Sequence, residues 1–159
     1  MIILSILVTL LIPLLELAVV PYVFIYFDLA SWPQMFGVWQ IIAILVILLG
    51  LVLVVWVSVT HANAGKSSPV PFSVPKKFVA DGPYTFSRNP MYVGMLVILV
   101  GEALLFQAPW LLVFTGFLYL LFFLYVKYNE EKILIQRFGA SYKNYMMNVP
   151  RWLSLKRIQ

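Results

Sequence analysis

Two stretches of this chain contain no Asp, Glu, Lys or Arg: residues 29–65, 37 in a row, and residues 103–126, 24 in a row. A helix needs about 20 predominantly apolar residues to cross the hydrocarbon core of a bilayer, so each stretch can hold a crossing. Soluble domains carry roughly a quarter charged residues, whereas here the share is 11%, with 63% hydrophobic residues and a mean hydropathy of +0.96. The expected fold class is therefore an all-α integral membrane protein. Disorder is excluded for most of its length.

Hydropathy and breakers predict four spans, at about 2–27, 34–59, 91–106 and 110–128. The turn Asp28–Pro33 joins the first two, and Gln107-Ala108-Pro109 is so short that the last two must form a tight antiparallel hairpin. At about 1.5 Å per residue the third span covers only about 24 Å, short for a core about 30 Å thick. It must start inside the boundary or be covered by protein. The first 15 residues resemble a signal-peptide core, but no basic segment follows Met1 and the apolar run resumes after Glu16, so a retained helix is expected. The organisation reads as two N-terminal spans over residues 1–60 and a second region over 61–159.

The cations decide orientation. Lys66, Lys76, Lys77 and Arg88 lie between spans two and three, and Lys127, Lys132, Arg137, Lys143, Arg151, Lys156 and Arg157 follow span four. These are all 11 of them, and neither short turn has one. By the positive-inside rule both basic segments, and with them both termini, face the cytoplasm. The net charge of +5 is accounted for by orientation and attraction to anionic lipid, and no nucleic-acid partner is suggested. The segment 61–90 differs from its surroundings: three prolines and a glycine in His61–Pro75 specify irregular backbone.

Several chemistries drop out. Cysteine is absent, which removes disulfides, thiol nucleophiles and thiolate metal ligands. His61 is the single histidine, too little for a zinc site and poorly placed, at a helix end, for a Ser-His-Asp triad. No G-x-S-x-G, complete phosphate loop or G-x-G-x-x-G occurs. No metal is expected.

Two polar clusters remain. In Asp81–Gly94, Gly82-Pro83 reads as a turn, and Asn89-Pro90 as an N-cap with proline at the first helical position. A helix N-terminus beside Arg88 could form an anion site, and Tyr84 and Tyr92 could stack on a planar or cationic ligand. Alternatively the segment is only a well-capped helix start. In Asn129–Gly139, adjacent Glu130 and Glu131 point about 100° apart on an α-helix, so one carboxylate can face the protein and the other water. The alternative is a solvated helix end with a Lys127–Glu131 i,i+4 pair. Phe138, Tyr142 and Tyr145 fall at helical spacing and read as packing, with Gly139 interrupting the helix. Glu16 and Glu102 are the two acids at membrane depth and have no cation there. Each should be protonated, hydrogen-bonded within the bundle or facing a wet cavity, and each is a candidate functional residue, although Glu102 lies near the outer end of its span.

Read together, G-P-Y-x-x-x-R-N-P-x-Y-x-G (Gly82–Gly94), E-E-x-x-L-x-x-x-F-G-x-x-Y-x-x-Y (Glu130–Tyr145) and V-P-R-W (Val149–Trp152) resemble the membrane-embedded methyltransferases. That family includes isoprenylcysteine carboxyl methyltransferases and phospholipid N-methyltransferases. The resemblance covers roughly residues 65–154, and spans one and two carry no part of it. It implies S-adenosyl-L-methionine as cofactor, with Phe78, Val79, Tyr84, Asn89, Pro90, Met91 and Tyr92 in contact with it and Glu130 and Glu131 holding its ribose or charged portion. Arg88 would sit beside its carboxylate, and Arg151 would close the pocket or meet the acceptor. Apart from the resemblance, its depth in the membrane makes Glu102 a candidate catalytic or acceptor-positioning acid. The acceptor would be lipophilic and membrane-resident, an isoprenylcysteine-like carboxylate or a phospholipid amine. Two departures stand out. The common R-H-P is Arg88-Asn89-Pro90 here, and the arginine that carboxyl methyltransferases carry one turn before the first glutamate is Val126. Competing functions are an NADPH-dependent sterol-type reductase using Lys76 and Lys77, and a four-helix proton-coupled transporter using Glu16.

Overall fold

The structure, a computed structural model, describes residues 2–33, 36–63 and 78–153, with side chains from Leu11 onward apart from position 12. Lys66, Lys76, Lys77, Lys156 and Arg157 lie outside the described residues, as does most of the proline-rich segment. Among the described residues all regular structure is helical: α1 (Ile2–Tyr26), α2 (Val38–Asn63), a short 3₁₀ turn (Gly82–Thr85), α3 (Pro90–Leu105), α4 (Pro109–Tyr125), a π-helical turn (Val126–Glu130) and α5 (Glu131–Asn148).

Three of the four expected spans match these helices to within a residue or a turn. Span two is displaced. Its helix begins at Val38 rather than 34, because the Gln40 side chain accepts the Gly37 N–H at 2.8 Å and starts the helix there. It runs on to Asn63, so His61 and its neighbours, expected to be irregular, form a last helical turn. The helical runs Val38–Asn63 and Pro109–Asn148 are long and apolar enough to cross a membrane. On α2, Trp39, Leu45, Leu49 and Val52 are more than 60% exposed, an apolar face suited to lipid.

α3 is the short helix, and protein covers it. Of its 16 residues, 11 are buried, because α2 packs along it in the most extensive helix contact of the structure and α4 folds back along it. Glycine makes the α2–α3 approach possible. A Cβ at Gly50 would lie 2.8 Å from the Gly94 carbonyl oxygen, and one at Gly101 would lie 2.9 Å from the Ile47 nitrogen. Val54, Val57, Met91 and Ile98 fill the adjoining core, against which Leu17 of α1 packs. The reversal into α4 is closed by the Ala108 N–H on the Ala103 carbonyl at 2.9 Å, with Gln107 at φ 49°.

Glu102 does not reach the interface. It is fully buried, within electrostatic reach of Glu16 on α1, and no carboxylate oxygen of either residue has a hydrogen-bond partner among the described residues. Of the environments expected for these two acids, hydrogen bonding within the bundle is not seen among the described residues.

Overpacking a tight helix contact costs about 1–3 kcal/mol, so Gly50→Ala should lower the unfolding free energy by that amount. At Gly116 on α4 an added Cβ would meet nothing within 4 Å, so Gly116→Ala should be neutral or stabilising by up to about 1 kcal/mol. Thermal or denaturant unfolding in detergent micelles checks both.

Candidate active site

The segment leading into α3 is irregular because its residues do not permit a helix. Gly82 adopts φ +60°, and a Cβ there would lie 2.8 Å from Thr60 Oγ1, so the loop rests on the last turns of α2. Pro83 and its neighbours make one 3₁₀ turn, closed by the Phe86 N–H on the Pro83 carbonyl. The chain then runs beside the segment after α5. The Arg88 N–H donates to the Pro150 carbonyl at 3.0 Å, and Asn89 Nδ2 donates to the Arg151 carbonyl at 2.8 Å. Asn89 occupies the N-cap position of α3, but its side chain does not cap the helix. That amide is engaged by the Arg151 carbonyl instead, while Ser87 Oγ accepts the Asn89 N–H at 3.0 Å.

Glu131 lies at the centre of the cluster. Its Oε1 accepts Arg88 Nη1 at 2.7 Å and Arg151 Nε at 2.8 Å, and its Oε2 accepts Arg151 Nη2 at 2.8 Å. Arg88 and Glu131 are both buried. The hydrogen bond from Arg151 to Glu131 is the main reason the guanidinium is held above its ordinary pKa. This arrangement bears on three expectations. The Lys127–Glu131 pair is not the one formed, since Glu131 takes two arginines from distant segments. The Arg88 guanidinium is paired with Glu131 through Nη1, and its Nε has no partner among the described residues. Glu131 is the acid that faces the protein, while Glu130, at the end of a π-helical turn that widens the backbone, is half-buried.

Glu130 is differently placed. Tyr92 Oη donates to its Oε2 at 3.2 Å. Burial pushes the Glu130 carboxyl up to about 7, opposed by the Tyr92 hydrogen bond and reinforced by the charge of Glu131. Its charge is also felt at the Tyr84 phenol. Tyr84 is held from both sides: His61 Nε2 lies 2.8 Å from its hydroxyl, and Tyr145 Oη donates to its carbonyl at 2.6 Å.

The structure thus brings Tyr84, Arg88, Asn89, Tyr92, Glu130, Glu131 and Arg151 into one region. Phe78 joins its edge through ring contacts with Phe138, Tyr142 and Tyr145, beside the buried Val79. Pro90 and Met91 are core residues at the start of α3. Glu102 is not brought in, for 12 residues of α-helix separate it from Pro90, about 18 Å at 1.5 Å per residue. Sequence reasoning missed His61 and the bonding role of Tyr145. A lone histidine in the last turn of an otherwise apolar helix was the available signal for the first.

The phospholipid methyltransferase family model matches residues 38–141, about two thirds of the chain. The chain belongs to that family. The match makes it a methyltransferase of a membrane family acting on lipid-like substrates. It also corrects the extent of the resemblance, because it begins at Val38 and takes in α2. The packing gives the reason: α2 forms one wall of α3 and carries His61 and Thr60 against the loop. The match ends before Val149–Trp152, although that segment meets Arg88, Asn89 and Glu131. A comparison with curated proteins found no match.

Removing one member of a buried ion pair leaves the other uncompensated and costs about 3–5 kcal/mol, so Glu131→Gln should lower the melting temperature sharply. Glu130 should behave in the opposite sense. Its carboxyl titrates higher in the folded protein than in the unfolded chain, so the fold prefers its neutral form. Stability should therefore be undiminished below about pH 4.5 and fall as pH rises from there through about 7. Melting curves of the ligand-free protein from pH 5 to 8 check this, and Glu130→Gln should flatten that part of the pH dependence.

Proposed function

We propose that the chain uses S-adenosyl-L-methionine to methylate a lipophilic, membrane-resident acceptor. The observation that carries the reading is the unequal use of the two adjacent carboxylates: two arginines pair with Glu131, while half-buried Glu130 has only a phenol as its hydrogen-bond partner among the described residues. Such a carboxylate suits a cationic ligand. It suits the phosphates of NADPH poorly, which together with family membership counts against the reductase. A transporter built on Glu16 leaves the whole cluster without a use.

The residues fit the cofactor. Glu130, Tyr84 and Tyr92 offer a carboxylate and phenol faces to a sulfonium or a ribose, and the buried Arg88 Nε, an N–H donor without a partner among the described residues, suits a carboxylate oxygen. When bound, S-adenosylmethionine supplies an electrophilic methyl group on a sulfonium. The protein's part is alignment and exclusion of water, which lower the barrier to a displacement without covalent or metal participation. Arg151 closes the site by holding the segment after α5 on Glu131.

For the acceptor, an apolar cleft of about 270 Å³ lies between Val46, Val93, Leu96, Val97, Val100, Tyr119 and Trp152 and suits an alkyl chain entering from the side. Val126, where carboxyl methyltransferases carry arginine, is buried with Tyr92, Met95 and Phe122. That apolar position favours an amine headgroup over a carboxylate, and Glu130 can accept a proton from it. The four helices α1 to α4 are assigned as spans, with both termini and the site on the cytoplasmic side, on the distribution of the cations.

A hydrogen bond to a charged group contributes about 1.5–3 kcal/mol, so Glu130→Gln should weaken S-adenosylmethionine binding by roughly 10–150-fold. Its ligand-free melting temperature at pH 7 should be unchanged or higher. Lys132→Gln is the control and should change affinity little. Stabilisation of the native protein by NADPH and not by S-adenosylmethionine would overturn the reading.

A further inference from the structure

One buried titratable group has no place in the site as described. His61 lies on the last turn of α2, only 4% exposed, and comes from outside both polar motif clusters. Its Nε2 is 2.8 Å from Tyr84 Oη, with the rings 5.2 Å apart and inclined at 60°. The contact is built rather than incidental. Gly82 seats the loop against Thr60, the Trp56 and Phe86 rings meet one turn below, and Tyr145 fixes the Tyr84 backbone from the opposite side.

A phenol has one proton to donate, while a neutral imidazole nitrogen either donates or accepts. Burial, then the fields of Tyr145 and Glu130, push the Tyr84 phenol well above its ordinary pKa, so it keeps that proton. Among the described residues, no other hydrogen bond to the phenol oxygen is present. If the phenol donates to His61 Nε2, its oxygen offers only lone pairs toward the side from which Glu130 acts. If His61 were the donor, the phenol proton would be free to point at Glu130 instead.

We propose that His61 Nε2 accepts the hydrogen bond donated by the Tyr84 hydroxyl and so sets Tyr84 Oη as a lone-pair acceptor for the positively charged sulfonium region of the cofactor. His61 is on this account a positioning residue that acts through Tyr84, and it makes α2 part of the cofactor site. The inference rests on the S-adenosylmethionine reading and deepens it: the His61–Tyr84 pair contributes to discrimination between the sulfonium and the uncharged thioether left after methyl transfer. Polarised C–H groups next to a sulfonium are the donors such an oxygen would meet.

The test measures affinity for S-adenosylmethionine and for S-adenosylhomocysteine in the full chain and in three variants. His61→Phe and Tyr84→Phe should each lose roughly 3–10-fold in affinity for the sulfonium, the range expected of one ordinary hydrogen bond, and clearly less for the thioether. His61→Gln, whose side-chain amide carries an acceptor at similar reach, should recover most of the selectivity. A purely structural role would lower the melting temperature or weaken both ligands alike, and either that equal loss or unchanged affinities would overturn the proposal. Tyr84→Phe removes a single oxygen and gives the same reading if His61→Phe does not fold. Binding of neither ligand to the native protein would overturn the S-adenosylmethionine reading and this inference with it, whereas native binding with unchanged selectivity in the variants would overturn this inference alone.

Discussion

The Glu131 carboxylate, accepting from both Arg88 and Arg151, is the interaction on which the architecture of the site depends. It draws together three segments far apart in the chain: the loop before α3, the start of α5 and the stretch after α5. Burying one carboxylate between two guanidiniums is favourable only where geometry and hydrogen bonding are good, and here three contacts of 2.7–2.8 Å meet that condition. The backbone bonds from Arg88 to Pro150 and from Asn89 to Arg151 run alongside it. Without Glu131 those segments would have to separate or leave charges buried alone.

That arrangement explains the state of its neighbour. Because both arginines are drawn to Glu131, Glu130 is left half-buried with a phenol as partner, and loss of solvent around its carboxyl raises its pKa. The π-helical turn makes the pairing of opposite roles possible within two consecutive residues. The membrane frame supports the same end. α3 is shorter than a membrane crossing needs, and the glycine-mediated approach of α2 covers it and sets the last turn of α2 against the loop. Family membership beginning at Val38 agrees with this dependence.

Much of this is legible in the sequence, and the exceptions have physical causes. The charge-free runs and the prolines at 90 and 109 indicate the helices and the hairpin, since hydropathy and a missing N–H act locally. The two polar clusters can be recognised as belonging together through their ordered motif residues. What cannot be read is which partner each polar side chain takes. An α-helical phase separates Glu130 from Glu131, but it does not say which of the two is buried, and nothing in Val126–Glu130 announces a π turn. Lys127 is the nearer cation in sequence, yet Arg88 and Arg151 are nearer in space. Asn89 reads as a cap from its type, but the segment after α5 offers a carbonyl that competes for its amide. His61 has no companion within its own segment, because Tyr84, its partner, is 23 residues away.

Central to the proposed function is a Glu130 whose carboxyl burial raises to about 7 and which, on that proposal, ionises to meet a cation. The most direct measurement is the number of protons exchanged on S-adenosylmethionine binding near pH 7, obtained by calorimetry in buffers of different ionisation enthalpy and compared between the native protein and Glu130→Gln. With a carboxyl titrating at about 7, the native protein should release roughly half a proton more per ligand than the variant. An identical proton count in the two proteins, with binding intact in both, would contradict the claim.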